Sequence, residues 1–340
     1  MPDQPLRGLT IGCGYFGLIQ LDGWQRVNGA RIAAACDLDP AKAQAAAHRF
    51  DIENAYTNPE EALAAQSYDF VDIATRPDSH LELTRAAAEA GAAVLCQKPL
   101  AMTWDESVAI VDAARERGVR FMANENWRWQ PWFREMKRLL DDGAIGPPHT
   151  FCYRRRGADA LSDPPFPRQP YFTQMEKFLL IESVIHQIDT ARFLLGDLEA
   201  VFCNTRRISG VTLAEDAVTM ILHFTSGAAG LIDASRCAEE EGDREGWDIV
   251  VLEGMAGYLR LRADRTIWHK PLFRPARRHD YSCPDLGYLG DSCRATQQHF
   301  ADCLRSGQPF EQEPEEYLNQ TVRAVFAGYQ SAETGRIVPV

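Results

Sequence analysis

The chain has 340 residues, of which 45% are hydrophobic and 25% charged, the composition of a globular protein large enough for two cores. Its formal net charge of −12 argues against nucleic acid or an anionic membrane as the main partner, because both bind basic surfaces. The first residues lack the apolar stretch of a signal peptide, and no apolar run approaches the roughly 18 residues of a spanning helix. We therefore expect a protein with neither a nucleic-acid nor a membrane partner.

Nine cysteines are scattered along the chain, with no Cys-x-x-Cys pair and no cysteine–histidine cluster at the spacing of a zinc site. In a chain of this length, scattered thiols are typical of small buried residues in a reducing compartment. The pattern predicts a cytoplasmic protein without a bound metal ion.

A glycine motif follows a short apolar run at 9–11. Its glycines, Gly12, Gly14 and Gly17, are spaced as Gly-x-Gly-x-x-Gly, and helix-compatible residues come next. This order predicts a strand, a tight turn and a helix whose N-terminus faces a pyrophosphate. Gly14 lets the backbone approach the phosphates, and Gly17 lets the helix pack closely on its strand.

An acidic residue lies near the position that a dinucleotide-binding motif requires. The run 31–36 reads as a second strand, and Asp37 follows it, 25 residues after Gly12 (37 − 12), against an expected spacing of about 20. A carboxylate there holds the adenosine ribose hydroxyls and favours NAD over NADP, since no arginine immediately follows. The alternative is an ordinary strand–helix turn with a surface aspartate.

The first part of the chain alternates between strand-like and helix-like segments. Strands are predicted at 9–11, 31–36, 69–74, 92–96 and 119–123, and helices at 18–27, 40–50, from 58, 77–90 and 103–117. Such alternation indicates a doubly wound parallel sheet. It predicts a dinucleotide-binding domain over residues 1–124.

After residue 124 the pattern changes to consecutive strands joined by short turns. Strands are predicted at 149–156, 199–208, 216–224, 228–235, 247–253, 258–262 and 266–269, and helices at 132–140, 178–195, 291–306 and 314–334. The second domain, 125–340, is therefore α+β, with helices on one face of an antiparallel sheet. On the other face we expect Val218, Met220 and Leu222, alternating with Thr219 and Ile221, to form a subunit contact. That contact predicts a homodimer or homotetramer.

Two loops of the first domain follow strands and therefore face the edge where open α/β sheets bind ligands. The segment 75–80 opens a helix, and His80 at its end is either functional or structural, with Asp78 and Ser79 explaining the segment as caps. Lys98 follows the strand 92–96 and precedes a proline. A lysine there can carry a proton, whereas the alternative is a solvated surface lysine.

Glu182 and His186 are four residues apart, so on a helix they share one face. An acid and an imidazole one turn apart can orient a substrate and exchange its proton. Metal ligation and a buried pair that satisfies itself are the alternatives. Asp189 follows three residues after His186.

Aromatic and guanidinium groups cluster at the start of the second domain. Arg128 and Trp129 follow the last strand of the first domain, and Arg154 begins a run of three arginines that enters a proline-rich loop. Such groups bind the rings, hydroxyls and carboxylates of polyhydroxylated molecules. They predict a substrate role, against the alternative of a buried interdomain core and weak surface ion pairs.

These features together resemble the Gfo/Idh/MocA oxidoreductases. The resemblance rests on the motifs at 12–17, 75–80, 97–99 and 182–189, which appear in the family's order. It implies an N-terminal Rossmann domain and a C-terminal α+β domain with a large, mostly antiparallel sheet. It also implies a nicotinamide cofactor and oxidation or reduction of a hydroxyl on a sugar, a cyclitol or a related polyol.

Site residues follow from the resemblance and the motifs. Lys98 is implied as the catalytic lysine and His186 as the catalytic or substrate-orienting histidine, with Glu182 beside it. Predicted cofactor-binding residues are Gly12, Gly14, Tyr15, Phe16, Gly17, Asp37, Thr75, Pro77, His80, Gln97 and Lys98. Predicted substrate-binding residues are Lys98, Arg128, Trp129, Arg154, Glu182 and His186.

The sequence departs from the family's pattern in two places: Gln97 replaces the usual glutamate before the lysine, and Glu182 replaces an aspartate. The same fold leaves two other functions open, a lyase or glycosidase that oxidises its substrate transiently and a dinucleotide-sensing regulator. Retention of both Lys98 and His186 argues against a regulator, which needs no proton relay.

Overall fold

The computed structural model describes residues 4–239 and 248–340. The chain divides into two compact units. The first comprises the residues up to Trp129 together with Pro284–Leu318, and the second comprises Gln130–Cys283 and Asn319–Val340. This division differs from the predicted one, 1–124 and 125–340, mainly because a C-terminal segment joins the first unit.

The first unit contains a six-stranded parallel sheet. Its strands are β1 (Leu6–Ile11), β2 (Ala30–Cys36), β3 (Asn54–Tyr56), β4 (Phe70–Ile73), β5 (Ala93–Gln97) and β6 (Phe121–Asn124). Their order in the sheet is β3-β2-β1-β4-β5-β6, which confirms the predicted doubly wound topology. Strand β3 was not predicted, because a strand of three half-buried residues carries no apolar run.

Five helices accompany these strands. They are α1 (Tyr15–Trp24), α2 (Pro40–Arg49), α3 (Pro59–Ala65), α4 (His80–Glu89) and α5 (Trp104–Glu116). The Asp39 carboxylate caps α2 by accepting the Ala41 N–H at 2.9 Å, with Pro40 at the first helical position. Helix α1 begins directly after Gly14, three residues earlier than predicted, so the glycine loop contributes its first turn.

The second unit is built on a nine-stranded sheet. Its strands are β7 (Pro148–Arg156), β8 (Leu198–Arg206), β9 (Ala217–Phe224), β10 (Ala229–Ser235), β11 (Asp248–Gly254), β12 (Gly257–Leu261), β13 (Ile267–Pro271), β14 (Arg277–His279) and β15 (Val338–Pro339). The order is β14-β13-β12-β11-β7-β10-β9-β8-β15, and β7 and β10 pair in parallel within an otherwise antiparallel sheet. The short edge strands β14 and β15 were not predicted, and Trp247, the predicted start of one strand, lies outside the described residues.

The remaining helices are α6 (Pro131–Asp141), α7 (Ile185–Leu195), α8 (Ser292–Ser306), α9 (Pro314–Glu316) and α10 (Arg323–Thr334). Two π turns, Leu180–Val184 and Tyr317–Val322, lead into α7 and α10. The predicted helices at 178–195 and 314–334 are therefore confirmed in position, but each contains a turn wider than an α-helical one. Apolar periodicity does not reveal such a local widening.

Helix α8 belongs to the first unit because its apolar side joins that unit's aromatic core. The Phe300 ring contacts the Phe70 ring of β4 edge-on, with centroids 5.7 Å apart. Trp24 of α1 stacks on the Phe70 ring at 4.7 Å. Gln297 of α8 donates to the Gln20 carbonyl oxygen at 2.9 Å. Burial of these rings is the main favourable term for holding α8 against the first sheet.

One prediction about the second sheet was wrong. Val218, Met220 and Leu222 of β9 do not lie on an open face, because all three are at most 1% exposed. A Cβ placed on Gly328 of α10 would lie 3.3 Å from the Met220 methyl, so this face is the one that the helices cover. Both faces of β9 carry apolar residues, and the sequence does not tell which face lies under the helices.

The opposite face of the second sheet carries a row of apolar side chains in register across five neighbouring strands. Ile221 of β9 and Leu231 of β10 lie side by side and are 39% and 37% exposed. The row continues on either side with Phe202, Cys152 and Val251, which are half-buried. This face of the described chain therefore presents a contiguous apolar surface.

Candidate functional site

The glycine motif forms the predicted turn between β1 and α1. Gly12 has φ +103°, and a Cβ there would lie 2.7 Å from the Ala74 carbonyl group, so only glycine fits. A Cβ at Gly14 would meet no atom within 4 Å, which leaves open space in front of the first turn of α1. Gly14 supplies no side-chain cap, and no acidic residue lies in that turn. This loop therefore fits a pyrophosphate group.

Asp37 lies beside the glycine loop, as the spacing predicts. Its two carboxylate oxygens accept the N–H of Cys13 at 2.8 Å and the N–H of Asp39 at 2.9 Å. Each oxygen retains a lone pair for a further donor such as a ribose hydroxyl. Burial and the neighbouring Asp37 charge raise the pKa of the Cys13 thiol to about 12, so this thiol stays protonated and acts as a small spacer.

The loops after β4 and β5 are joined to each other through His80. The imidazole is fully buried, with Nδ1 2.9 Å from the Leu100 carbonyl oxygen and Nε2 3.2 Å from that of Thr75. Burial lowers its pKa, whereas the two carbonyl contacts favour the protonated ring. His80 thus holds both loops in place, and a direct cofactor contact for its ring stays a prediction.

Lys98 follows β5 at the same edge of the first sheet as the glycine loop and Thr75. Its side chain is half-buried, and the Lys98–Pro99 peptide bond is cis. Its backbone N–H donates to the Gln97 amide oxygen at 2.7 Å, so the Gln97 side chain is used internally. The structure therefore brings the predicted cofactor loops and Lys98 together within the first unit.

Glu182 and His186 lie in the second unit, at the junction between the π turn and α7. Glu182 is half-buried and accepts the Ser183 hydroxyl at 2.6 Å, whereas His186 is 6% exposed. In a π turn, as in an α-helical one, residues four apart are separated by about one turn, so Glu182 and His186 remain on one side of the helix. Asp189 is fully buried and accepts the Thr321 hydroxyl at 3.2 Å, which anchors α7. Wide turns of this kind occur frequently at functional sites.

Arg128 and Trp129 pack within the first unit. The Trp129 ring lies against His299 of α8 with centroids 4.7 Å apart, and Arg128 Nη1 is 3.9 Å from Glu311 Oε1. His299 Nε2 accepts the Glu311 N–H at 2.8 Å, which ties these groups into one cluster around a small cavity. A substrate role for Arg128 and Trp129 stays a prediction.

The three consecutive arginines of β7 have different surroundings. Arg155 pairs with Asp248 at 2.9 Å and Arg156 with Asp233, so both are engaged within the second sheet. Arg154 is exposed. Its neighbour Tyr153 is in register with Ile232 and Met220 on the helix-covered face, so Arg154 lies on the opposite face from α7. The structure therefore does not bring Arg154 to the same side of the sheet as His186.

A buried polar group that was not predicted lies beneath the cofactor loops. Asp72 lies in the middle of β4 with no exposed surface, and the indole N–H of Trp24 donates to it at 2.7 Å. An aspartate inside the apolar run 70–73 was the available signal, because fully buried carboxylates are rare unless they are paired.

Among residues 4–239 and 248–340, no three histidine, cysteine or acidic side chains form a potential metal site. No helix in that part of the chain is long and apolar enough to cross a membrane.

Comparison with known proteins identifies both domains. Residues 6–125 match the family described as an oxidoreductase family with an NAD-binding Rossmann fold, and residues 133–256 match the GFO/IDH/MocA C-terminal domain. A D-apiose dehydrogenase from Paraburkholderia graminis is 36% identical over 98% of this chain and 89% of the relative, and one from Rhizobium rhizogenes is 33% identical over 98% and 97%.

A solved structure resembles the whole chain. It is an oxidoreductase from Agrobacterium radiobacter in complex with NAD+, L-tartaric acid and magnesium, with a TM-score of 0.92 and 31% identity. The match covers 99% of this chain and 98% of that one. With both domains matched and relatives aligned over nearly their full length, the chain belongs to the Gfo/Idh/MocA family of oxidoreductases.

Proposed function

We propose that this protein is an NAD(H)-dependent dehydrogenase acting on a hydroxyl or carbonyl group of a sugar, a cyclitol or a related polyol. The observation that carries the cofactor assignment is the Asp37 carboxylate held at the glycine loop by the Cys13 N–H. The relatives named D-apiose dehydrogenases support a sugar substrate. When bound, the nicotinamide supplies the hydride chemistry, and the protein supplies position and electrostatics.

The chain's own residues then have distinct roles. Lys98 takes the proton from the substrate hydroxyl, and His186 orients that hydroxyl or relays its proton, with Glu182 supporting it. The glycine loop, Asp37 and the loops at 75–80 and 97–98 bind the cofactor. Arg128 and Trp129 are the further candidates for substrate contacts, whereas Arg154 is no longer one, because it lies on the face of the second sheet opposite α7.

The proposal is tested by incubating the purified protein with NAD and a panel of pentoses (D-apiose among them), hexoses, inositols and sugar acids, and following NADH absorbance. Net NADH release with one member of the panel supports a dehydrogenase. Product formation without net NADH release instead favours a lyase or glycosidase that reoxidises its own cofactor. NAD binding without any turnover favours a dinucleotide-sensing regulator.

Asp37 should select NAD over NADP, because its carboxylate repels a 2′-phosphate and accepts the ribose hydroxyls. We expect Asp37→Ala to raise the KM for NAD about tenfold or more while kcat changes little, since the contact is equal in ground and transition states. Steady-state kinetics with both cofactors measure this. The matched control is Asp105→Ala, an exposed carboxylate in the first turn of α5. Wild-type turnover with NADP as good as that with NAD would contradict the assignment.

We also infer that the open face of the second sheet joins copies of this chain into a homodimer or homotetramer. The support is the apolar row centred on Ile221 and Leu231, whose exposure is unfavourable in an isolated monomer.

A cytoplasmic location is inferred from the nine cysteines, all free thiols.

Placing a charge in the apolar row should dissociate the oligomer. We expect Leu231→Asp to shift the species seen by size exclusion with light scattering from a multiple of the chain mass to a single chain, because an unpaired buried charge is costly. Leu213→Asp is the control, since Leu213 is 62% exposed on a loop of the same unit. A monomeric wild type would refute this inference.

A further inference from the structure

Asp72 begins a chain of buried hydrogen bonds beneath the cofactor loops. The carboxylate has no exposed surface, and the Trp24 indole N–H donates to Oδ2 at 2.7 Å. With its amide oriented to suit its neighbours, Gln20 donates to Oδ1 at 3.1 Å and to Oδ2 at 3.2 Å. Burial raises the pKa of Asp72 to about 7, whereas these N–H donors favour its ionised form.

The hydrogen-bond chain continues from Gln20 to the backbone of Lys98. The Gln20 amide oxygen accepts Gln97 Nε2 at 2.7 Å and Asn124 Nδ2 at 2.6 Å. The Gln97 amide oxygen then accepts the Lys98 N–H at 2.7 Å. Every side chain in this path is at most 6% exposed before it reaches Lys98.

The direction of this hydrogen-bond chain is fixed by its two ends, the Asp72 carboxylate at one and the Lys98 N–H, which only donates, at the other. A side-chain amide donates at one end and accepts at the other, while an ionised carboxylate only accepts. Above its pKa of about 7 Asp72 only accepts, so Gln20 turns its nitrogen toward Asp72 and its oxygen toward Gln97. Gln97 must then turn its nitrogen toward Gln20, which leaves its oxygen for the Lys98 N–H.

We propose that Asp72 is a positioning residue that acts through Gln20 to orient the Gln97 amide and so holds the Lys98 backbone. The negative charge stands at position 72, and position 97 must therefore be an amide. This explains the glutamine at the place where the sequence departs from the Glu-Lys-Pro pattern. The significance of Lys98 for turnover rests on the proposed function, but the hydrogen-bond chain does not.

The proposal predicts that exchanging the carboxylate and the amide between positions 72 and 97 restores the hydrogen-bond chain. In Gln97→Glu, a carboxylate oxygen faces the Gln20 oxygen, and Gln20 cannot turn over without facing its own oxygen toward Asp72. In Asp72→Asn, one oxygen can still accept from Trp24, but an N–H group now faces the Gln20 nitrogen. In the double variant, the new amide at position 72 donates to Gln20, and Gln20 donates to the new carboxylate at position 97. The Asn124 amide turns over together with Gln20, so that its oxygen accepts where its nitrogen donated before. The second oxygen of that carboxylate accepts the Lys98 N–H.

Three measurements on the two single variants and the double variant test this cycle. We expect each single variant to lower the thermal unfolding midpoint of the cofactor-free protein by about 3 °C or more. We expect it to speed hydrogen exchange at the Lys98 N–H about tenfold, and to lower kcat/KM about tenfold. The double variant should recover at least half of each loss. The control pair combines Gln97→Glu with Asp105→Asn, which makes the same carboxylate-to-amide change at an exposed position outside the network, and it should recover nothing.

Additive losses in the double variant would overturn the proposal, because independent structural damage cannot be compensated by a second substitution. Recovery of the unfolding midpoint without a return to slow hydrogen exchange at the Lys98 N–H would also overturn the positioning role of Asp72. The first two readouts need neither cofactor nor substrate. Failure of the hydrogen-bond proposal therefore shows in the unfolding midpoint and in hydrogen exchange. Failure of the proposed dehydrogenase function affects only the third readout, kcat/KM.

Discussion

Replacing Lys98 by methionine should lower kcat by about 10²–10⁴, the usual contribution of general acid–base catalysis. Methionine keeps an unbranched side chain of similar length at a half-buried position but cannot exchange a proton. The loops at Gly12 and Asp37 are not changed, so we expect the dissociation constant of NAD to shift by less than about threefold. Steady-state kinetics with the best sugar substrate measure the first effect, and a fluorescence titration with NADH measures the second.

Two further variants separate proton transfer from charge and from general damage. Lys98→Arg keeps the positive charge but remains protonated, so it should be nearly as slow as Lys98→Met. Lys137→Met is the matched control, because Lys137 lies on α6 in an ion pair with Asp141, and such surface pairs contribute little. An active Lys98→Met enzyme would remove Lys98 from the proton path. Full activity in Lys98→Arg would reduce its role to electrostatics.

The strand–turn–helix arrangement of the glycine loop and the position of Asp37 beside it were predictable, because both depend on local spacing. Gly12 and Gly17 fit only as glycines, and the 25 residues to Asp37 span one helix and one strand of a parallel sheet. A strand–turn–helix motif and the next strand leave few topologies, since parallel crossovers have a fixed hand. Thr75 and Lys98 follow neighbouring strands β4 and β5, so they lie at the same edge of that sheet.

Other features were not predictable, because they depend on contacts between distant parts of the chain. Helix α8 joins the first unit through the contact of Phe300 with Phe70, 230 residues apart (300 − 70), and no local pattern encodes that pairing. The covered face of β9 depends on where α10 packs, so alternation alone placed Met220 on the wrong face. The path from Asp72 to Lys98 passes through Gln20 of α1, which a strand-by-strand interpretation does not consider.

Replacing His186 by asparagine should lower kcat by about tenfold or more, less than the Lys98 substitution. Asparagine keeps a hydrogen-bonding group in a position that is 6% exposed, but it cannot exchange a proton near neutral pH. If His186 only orients the hydroxyl, KM rises along with the fall in kcat. His149→Asn is the matched control, because His149 is an exposed histidine on β7 of the same unit.

The double variant Lys98→Met with His186→Asn tests whether the two residues form one proton relay. Independent contributions multiply, so the double variant would then be slower than either single variant by the full factor of the other. Residues that act as a unit behave differently, because losing one already disables the path. We therefore expect the double variant to be within about threefold of Lys98→Met alone. Multiplicative losses would contradict the relay, and would mean that His186 orients the substrate while Lys98 exchanges the proton without it.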